Sequence, residues 1–332
     1  MDKKRILLAH GGGGTLSNEL ISKVIVPALG TPPSSFEDAA PVEGVEGLRF
    51  TTDSFVVKPL FFPGGDIGSL AVHGTVNDLA VSGAQPLALS LALIIEEGLE
   101  TDILKRLMES AGAASRESGV TISTGDTKVV ARGEADGIFI TTSGVGTIVK
   151  SVGACCVAEG DAVLINGPIG DHGVAVMSAR EGIGFETSVQ SDSQPVWPVV
   201  RELLGAGLNV HAMRDPTRGG VAAVCNELAS ASGVSIVLQE TALPVRPAVA
   251  GACEMLGLDP LTVANEGKVL VFLPADQAER AVDIMQHHPR GAGACVIGAA
   301  AARREKPLYL KTRHGGERIV EMPYGEELPR IC

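Results

Sequence analysis

Aromatic side chains are scarce in this chain: one Trp, two Tyr and eight Phe stand among 332 residues. Its interior must therefore be filled by Ala, Val, Leu and Ile, and so few rings make poor stacking platforms for single-stranded nucleic acid. Hydrophobic residues still make up 45% and charged residues 20%. That balance is ordinary for a globular protein, and 41 Gly with 19 Pro fall short of the disordered range. At roughly 150 residues per domain the length suggests two domains around substantial cores. Disulfide or metal staples are then unnecessary.

The net charge is −12, with 27 Lys and Arg against 39 Asp and Glu. An acidic surface repels phosphate backbones, and only Lys3-Lys4-Arg5 and Arg303-Arg304 form even short basic runs, so neither nucleic acid nor an anionic membrane is expected as a partner. A bound polyphosphate would need Mg²⁺ as mediator. Six cysteines, at 155, 156, 225, 253, 295 and 332, show no C-x-x-C pair and no disulfide spacing, which fits a reducing compartment. Ile6 to Ala9 is too short an apolar stretch for a signal peptide. The longest uncharged run, Leu79 to Ile95, is interrupted by Gly83, Gln85 and Pro86 and is not a spanning helix. A cytoplasmic protein is expected.

Residues 1–35 read as an arm, with Gly11 to Gly14 followed by a short helical pattern and a Thr31-Pro32-Pro33 break. Residues 36–150 alternate types: strands near 49–57 and 87–95, a short helix after Asn77, a helix over Thr101 to Ser118 stopped by Gly119, then strands near 121–123 and 137–149. After a boundary near 150–160, residues 151–303 supply strands near 162–165, 235–239, 268–273 and 294–298. Helices are expected near 172–180, 196–204, 220–232, 246–256 and 275–287. Neither half has the strict rhythm of a doubly wound sheet. The fold class is therefore α+β, two mixed α/β domains, with residues 304–332 as a flexible C-terminal tail.

Three carboxylates lie where strands end or turns begin: Asp53 in Thr51-Thr52-Asp53-Ser54, Asp78 after Val76-Asn77, and Asp126 in Thr124-Gly125-Asp126-Thr127-Lys128. Hard oxygen ligands from separate loops are what Mg²⁺ requires when it shares its shell with phosphate. Any one of them alone is as well explained as a turn residue, and Asp66 in Pro63-Gly64-Gly65-Asp66 is read that way. Asp215-Pro216-Thr217-Arg218-Gly219-Gly220 precedes an amphipathic helix, so its amides and Arg218 suit phosphate oxygens. The competing reading is an ordinary helix start. The remaining cysteines read as buried small apolar residues or neutral bystanders, and none of the scattered histidines, His10, His73, His172, His211 and His314, pairs convincingly with Cys or Ser for a triad.

Cys332 ends the chain on a hinged segment that extends to about 100 Å, far enough for a site on its own or a second subunit. By composition alone it reads as accidental. Taken with Gly74-Thr75-Val76-Asn77-Asp78, the Asp126 and Asp215 motifs, Asn265-Glu266-Gly267 and Pro329-Arg330-Ile331-Cys332, the chain resembles the HypE family of hydrogenase maturation proteins. That family lies within the superfamily of aminoimidazole ribonucleotide synthetase and selenophosphate synthetase. The resemblance spans essentially the whole sequence. One departure is Gly12, where relatives often have Ser.

The resemblance implies two domains of the aminoimidazole ribonucleotide synthetase type, a homodimer, and an ATP-dependent carbamoyl dehydratase. A HypF-type carbamoyltransferase would load Cys332, ATP would drive removal of water to give a thiocyanate, and a HypC–HypD complex would accept the cyanide for the iron of NiFe hydrogenase. It further implies ATP contacts from Gly12, Gly13, Asp53, Asn77, Asp78, Gly125, Asp126, Asp215, Thr217, Arg218 and Gly219, with Asp53, Asp78 and Asp126 on Mg²⁺. Glu266, expected to be ionised from its reference pKa of about 4.3, would be the base. Lys128 would hold a phosphate or the developing oxyanion. The competing functions are a kinase or synthetase of a free small molecule, and an assembly scaffold with a docking tail.

Overall fold

The computed structural model describes residues 5–29, 37–180, 187–325, 328 and 330–332. In the first half, strands β1 (Ala40–Pro41), β2 (Leu48–Phe55), β5 (Ala84–Glu96), β6 (Thr121–Val130) and β7 (Ile138–Ile148) form one sheet in the order β1-β2-β7-β5-β6. A small hairpin, β3 (Phe61–Phe62) and β4 (Gly65–Asp66), stands apart. Short helices α1 (Thr15–Leu20) and α2 (Val26–Leu29) belong to the N-terminal arm, while α3 (Ile67–Val81) and α4 (Thr101–Ser118) pack on each other. α4 is the crossover that lets β5 and β6 run parallel.

The second half forms a seven-stranded sheet from β8 (Asp161–Ile165), β9 (Ala212–Arg214), β10 (Ser235–Gln239), β11 (Leu270–Pro274), β12 (Cys295–Ala301), β13 (Leu308–Lys311) and β14 (Glu317–Ile319). Their order is β14-β13-β10-β12-β8-β11-β9. Helices α5 (Asp171–Ser178), α6 (Trp197–Gly205), α7 (Gly220–Ser232), α8 (Pro247–Leu256) and α9 (Ala278–His287) accompany it. Side chains alternate faces along a strand, and the sheet divides its apolar residues accordingly. Leu164, Val271 and Leu273 join a core shared with Phe55, Leu70 and Val76 of the first half. Val163, Ile165, Leu270 and Phe272 turn to a second core with Val221, Cys225 and Leu228 of α7. The two halves thus share one apolar interior, which fixes the seam between them.

Two sequence expectations change. The helix expected after Asn77 begins ten residues earlier, at Ile67, capped by Asp66, whose carboxylate accepts from the Gly68 and Ser69 amides at 2.8 and 3.0 Å. α3 is buried on nearly every side, so it lacks the polar stripe that marks a helix in sequence. Residues 304–332 are not wholly a tail. Leu308, Tyr309 and Leu310 of β13 are buried beside β10, and flanking charge hid that strand in the sequence.

Candidate active site

Four acidic residues from separate elements meet at the seam. Asp38 precedes β1, Asp53 lies near the end of β2, Asp78 sits in the last turn of α3, and Asp215 follows β9. They line a cleft of about 180 Å³ together with Thr217, Arg218, Glu266 and Cys332. One carboxylate oxygen each from Asp38, Asp78 and Asp215 lies within 4.8 Å of the other two. Arg214 binds Asp38 at 2.6 Å, and the Thr51 hydroxyl stands 2.7 Å from the Asp78 carboxylate.

Burial is the main cause of the site's electrostatics. It pushes Asp38 up to about 6, against the attraction of Arg214, and Asp215 up to about 8, with the nearby Asp38 adding to the rise. Asp78 is held well above its ordinary value by burial and by Asp215, Asp53 and Asp38 around it, and burial also raises Asp53. Glu266 is likewise held well above the carboxylate range by burial, then by Asp215 and Asp53. Its Oε1 is buried without a hydrogen-bond partner. The solvated reference value used for Glu266 in the sequence therefore takes no account of this upward push. Carboxylates crowded this way ionise together only when a cation joins them. The three clustered oxygens are the donor type Mg²⁺ takes.

The Asp215–Gly219 loop closes one wall. Gly219 and Gly220 have φ of 74° and 59°, and a Cβ on Gly220 would stand 2.5 Å from the Leu261 carbonyl oxygen. Only glycine fits there, and it delivers the start of α7 to the cleft. The Arg218 guanidinium donates to the Gly11 carbonyl at 3.2 Å, and Gly13 (φ 72°) lies against the Arg218 backbone. Gly11 and Gly12 thereby roof a second cavity of about 150 Å³, lined also by Ile331 and Cys332. The chain end is docked there. Val56 N–H donates to the Cys332 main-chain oxygen at 3.1 Å, Lys58 N–H donates to the Arg330 carbonyl at 3.3 Å, and Ile331 is 3% exposed. Negative charge at Cys332 is the largest influence raising the Arg218 pKa.

Comparison with known proteins places this geometry. The N-terminal and C-terminal domains of AIR synthase related protein match residues 36–148 and 158–311. Carbamoyl dehydratase HypE of Rhodobacter capsulatus is 47% identical over 335 residues, covering 99% of this chain and 98% of its own. The chain belongs to the HypE family. HypE of Escherichia coli K12 is 44% identical over 336 residues, 98% of this chain and 99% of its own. Among solved HypE structures, the one in a HypE–HypF complex superposes with a TM-score of 0.87 at 47% identity, covering 92% of this chain and 99% of that one. The one in complex with ATP gives 0.83 at 44%, covering 99% and 100%. A ThiL structure with AMPPCP and TMP, at 21% identity and a TM-score of 0.72, shares the fold.

Several residues carried over from HypE do not sit in the cleft of this single chain. Asp126 lies on β6, the exposed edge strand, where its carboxylate pairs with Lys128 at 2.7 Å. Residues two apart on a strand share a face, so Asp126 and Lys128 satisfy each other outside the acidic cluster. Gly125 is a packing position, since a Cβ there would lie 2.2 Å from the Leu91 carbonyl oxygen. Asn77 is a fastener: its amide donates to the Gln194 and Glu266 carbonyls at 3.1 Å each and accepts from Val196 N–H at 2.8 Å. Both of its amide hydrogens are thereby used within the chain, and the residue is 1% exposed. Asp38 went unnoticed in the sequence, and Arg214, which opens the Asp215 motif there, was given no role. Asp38 stands in no motif, but Arg214 immediately precedes the Asp215 loop, and a cation beside that acid was a usable signal.

Proposed function

We propose that this chain is an ATP-dependent carbamoyl dehydratase whose substrate is a carbamoyl group carried on its own Cys332, converted to a thiocyanate that supplies the cyanide ligand of NiFe hydrogenase. The observation that carries this reading is the shared cleft: Cys332 lines the same cavity as Asp53, Asp78, Asp215 and Glu266. ATP binding is supported by the HypE structure solved with ATP. The Asp215–Gly219 loop with Thr217 and Arg218, and the Gly12–Gly13 arm, are the phosphate contacts we assign.

An amide oxygen leaves poorly, so the reaction needs it phosphorylated by the γ-phosphoryl group of ATP before phosphate departs. Asp38, Asp78 and Asp215, with Asp53 beside them, would hold Mg²⁺. That ion would neutralise charge on the transferring group. Arg218, on the same loop as Asp215, would offset the developing negative charge. Glu266 is the base for the N–H protons, because a carboxyl held above its solvated range binds a proton more strongly once ionised.

A HypF-type carbamoyltransferase would load the thiol, consistent with the solved HypE–HypF complex. A HypC–HypD complex would accept the product. We place the reaction in the cytoplasm; among the described residues no helix is long and apolar enough to cross a membrane. Homodimerisation through β6 is also proposed. That strand runs ten residues along the sheet edge with its side chains exposed, an edge that invites pairing, and Asp126 and Lys128 would lie at that interface.

The test is mass spectrometry of the carbamoylated C-terminal peptide. ATP with Mg²⁺ should remove one water from the adduct. An adduct that persists unchanged would overturn the proposal, and activity surviving deletion of residues 329–332 would favour a kinase or synthetase of a free substrate.

A further inference from the structure

One grip on the chain end comes from a side chain with no part in the chemistry above. His172, in the first turn of α5, is fully buried and meets the Phe62 ring edge-on at 5.5 Å. Its Nε2 lies 3.0 Å from the Ile331 carbonyl oxygen, and its Nδ1 lies 2.8 Å from the Ser191 hydroxyl. A carbonyl only accepts, so Nε2 carries the proton. Ser191 Oγ already accepts the Ser193 N–H at 3.1 Å, which leaves the hydroxyl hydrogen for Nδ1. The network fixes Nε2–H as the donor toward Ile331 and suits a neutral imidazole. Burial favours that form and pushes the His172 pKa down, against the attraction of Asp192.

The neighbouring residues are held differently. Arg180 donates to the Arg330 carbonyl at 2.7 Å, Arg330 Nε donates to the Val56 carbonyl at 3.0 Å, and Val56 N–H holds Cys332. These contacts fasten residues 330 and 332 around the Val56–Lys58 segment after β2. His172 fastens residue 331 from the side of the larger sheet, one residue before the sulfur. We propose that His172 is a positioning residue for the carrier thiol: its Nε2–H holds the Ile331 carbonyl and so sets where Cys332 stands in the acidic cleft.

The kinetic arm of the test rests on the dehydratase reading, whereas the docking arm does not. His172→Phe keeps a ring without the donor, and His172→Gln puts an amide N–H near the place of Nε2. In the unloaded full chain, iodoacetamide labelling of Cys332, followed on the C-terminal peptide, should be about fivefold to tenfold faster in the Phe variant, the effect of losing one net hydrogen bond. The Gln variant should stay near wild type. In carbamoylated protein at saturating ATP, single-turnover loss of water should fall by about tenfold in the Phe variant, with recovery in the Gln variant and ATP affinity unchanged in both. Ser191→Ala, which frees the tautomer and leaves the ring, should speed labelling in the same direction and serves if the Phe variant does not fold. Equal labelling rates in all these proteins would overturn the proposal, as would a rate loss matched by loss of ATP affinity. Failure of wild-type carbamoylated protein to lose water would overturn the dehydratase reading alone, and the labelling comparison would still decide the role of His172.

Discussion

Val56 donates its backbone N–H to the main-chain oxygen of Cys332 at 3.1 Å, so the last residue of the chain is tied to the end of the strand that carries Asp53. The bond involves no side chain of Cys332. Cys332→Ser should therefore leave the docked backbone intact and ATP affinity within about twofold of wild type, since the change touches none of the assigned phosphate contacts. It should abolish thiocyanate formation, because the sulfur that carries the group is gone. Calorimetric titration with ATP and mass analysis of the C-terminal peptide check the two halves. Thiocyanate-type product from the Ser variant would disprove the carrier role.

Asp215 is buried beside Asp38, and its pKa is pushed up to about 8. Asp215→Asn keeps the shape and removes a charge that crowds Asp38 and Asp78. The metal-free variant should melt a few degrees higher than wild type above about pH 8, the gain expected from relieving a buried, unpaired carboxylate. Its affinity for ATP with Mg²⁺ should fall by at least about tenfold, because one hard oxygen ligand is lost. Thermal melts and nucleotide titrations measure both. A variant that binds as well as wild type would remove Asp215 from the cation site.

Amphipathic and capped elements were legible in the sequence. α4 over Thr101–Ser118 and α7 over Gly220–Ser232 follow their expected spans because each has a stop signal read by steric rules: Gly119 and Gly233 take left-handed φ of 70° and 69°. The first turns of α3 were hidden because a helix apolar on all sides has no period to detect. Within the site, Asp78 and Asp126 look alike in sequence, each beside small polar residues. Only topology separates them, since α3 ends inside the seam and β6 runs along an edge. Asp38 had no motif at all. The upward push on the Glu266 pKa was likewise unreadable, because a reference pKa describes a solvated carboxyl and says nothing of burial.

Asn77 links the halves through three hydrogen bonds, to Gln194, Glu266 and Val196, and is 1% exposed. Asn77→Ala leaves those partners without their bonds at the buried seam. A loss of about 2–4 kcal/mol of stability is expected, read as a lower urea midpoint. Because one bond holds the Glu266 carbonyl, turnover should fall more than ATP affinity does. A variant with wild-type stability would show that the seam does not depend on this residue.

The acidic cluster also predicts how stability depends on pH. Folded pKa values of about 6 for Asp38 and about 8 for Asp215 lie above the ordinary 3.8. A raised carboxyl binds its proton more tightly in the folded chain, so the stability it contributes is complete below the unfolded pKa and is lost as pH rises through the folded one. Metal-free protein should therefore lose stability from about pH 4 to about pH 8 through these two groups. Mg²⁺ needs them ionised and displaces their protons, so its stabilising effect should grow across the same interval. Melting scans with and without Mg²⁺ at about pH 6 and about pH 8.5 test this, and Asp215→Asn should flatten the upper part of the curve. If Mg²⁺ raised the melting temperature equally at both pH values, these carboxylates could not be the ones it engages.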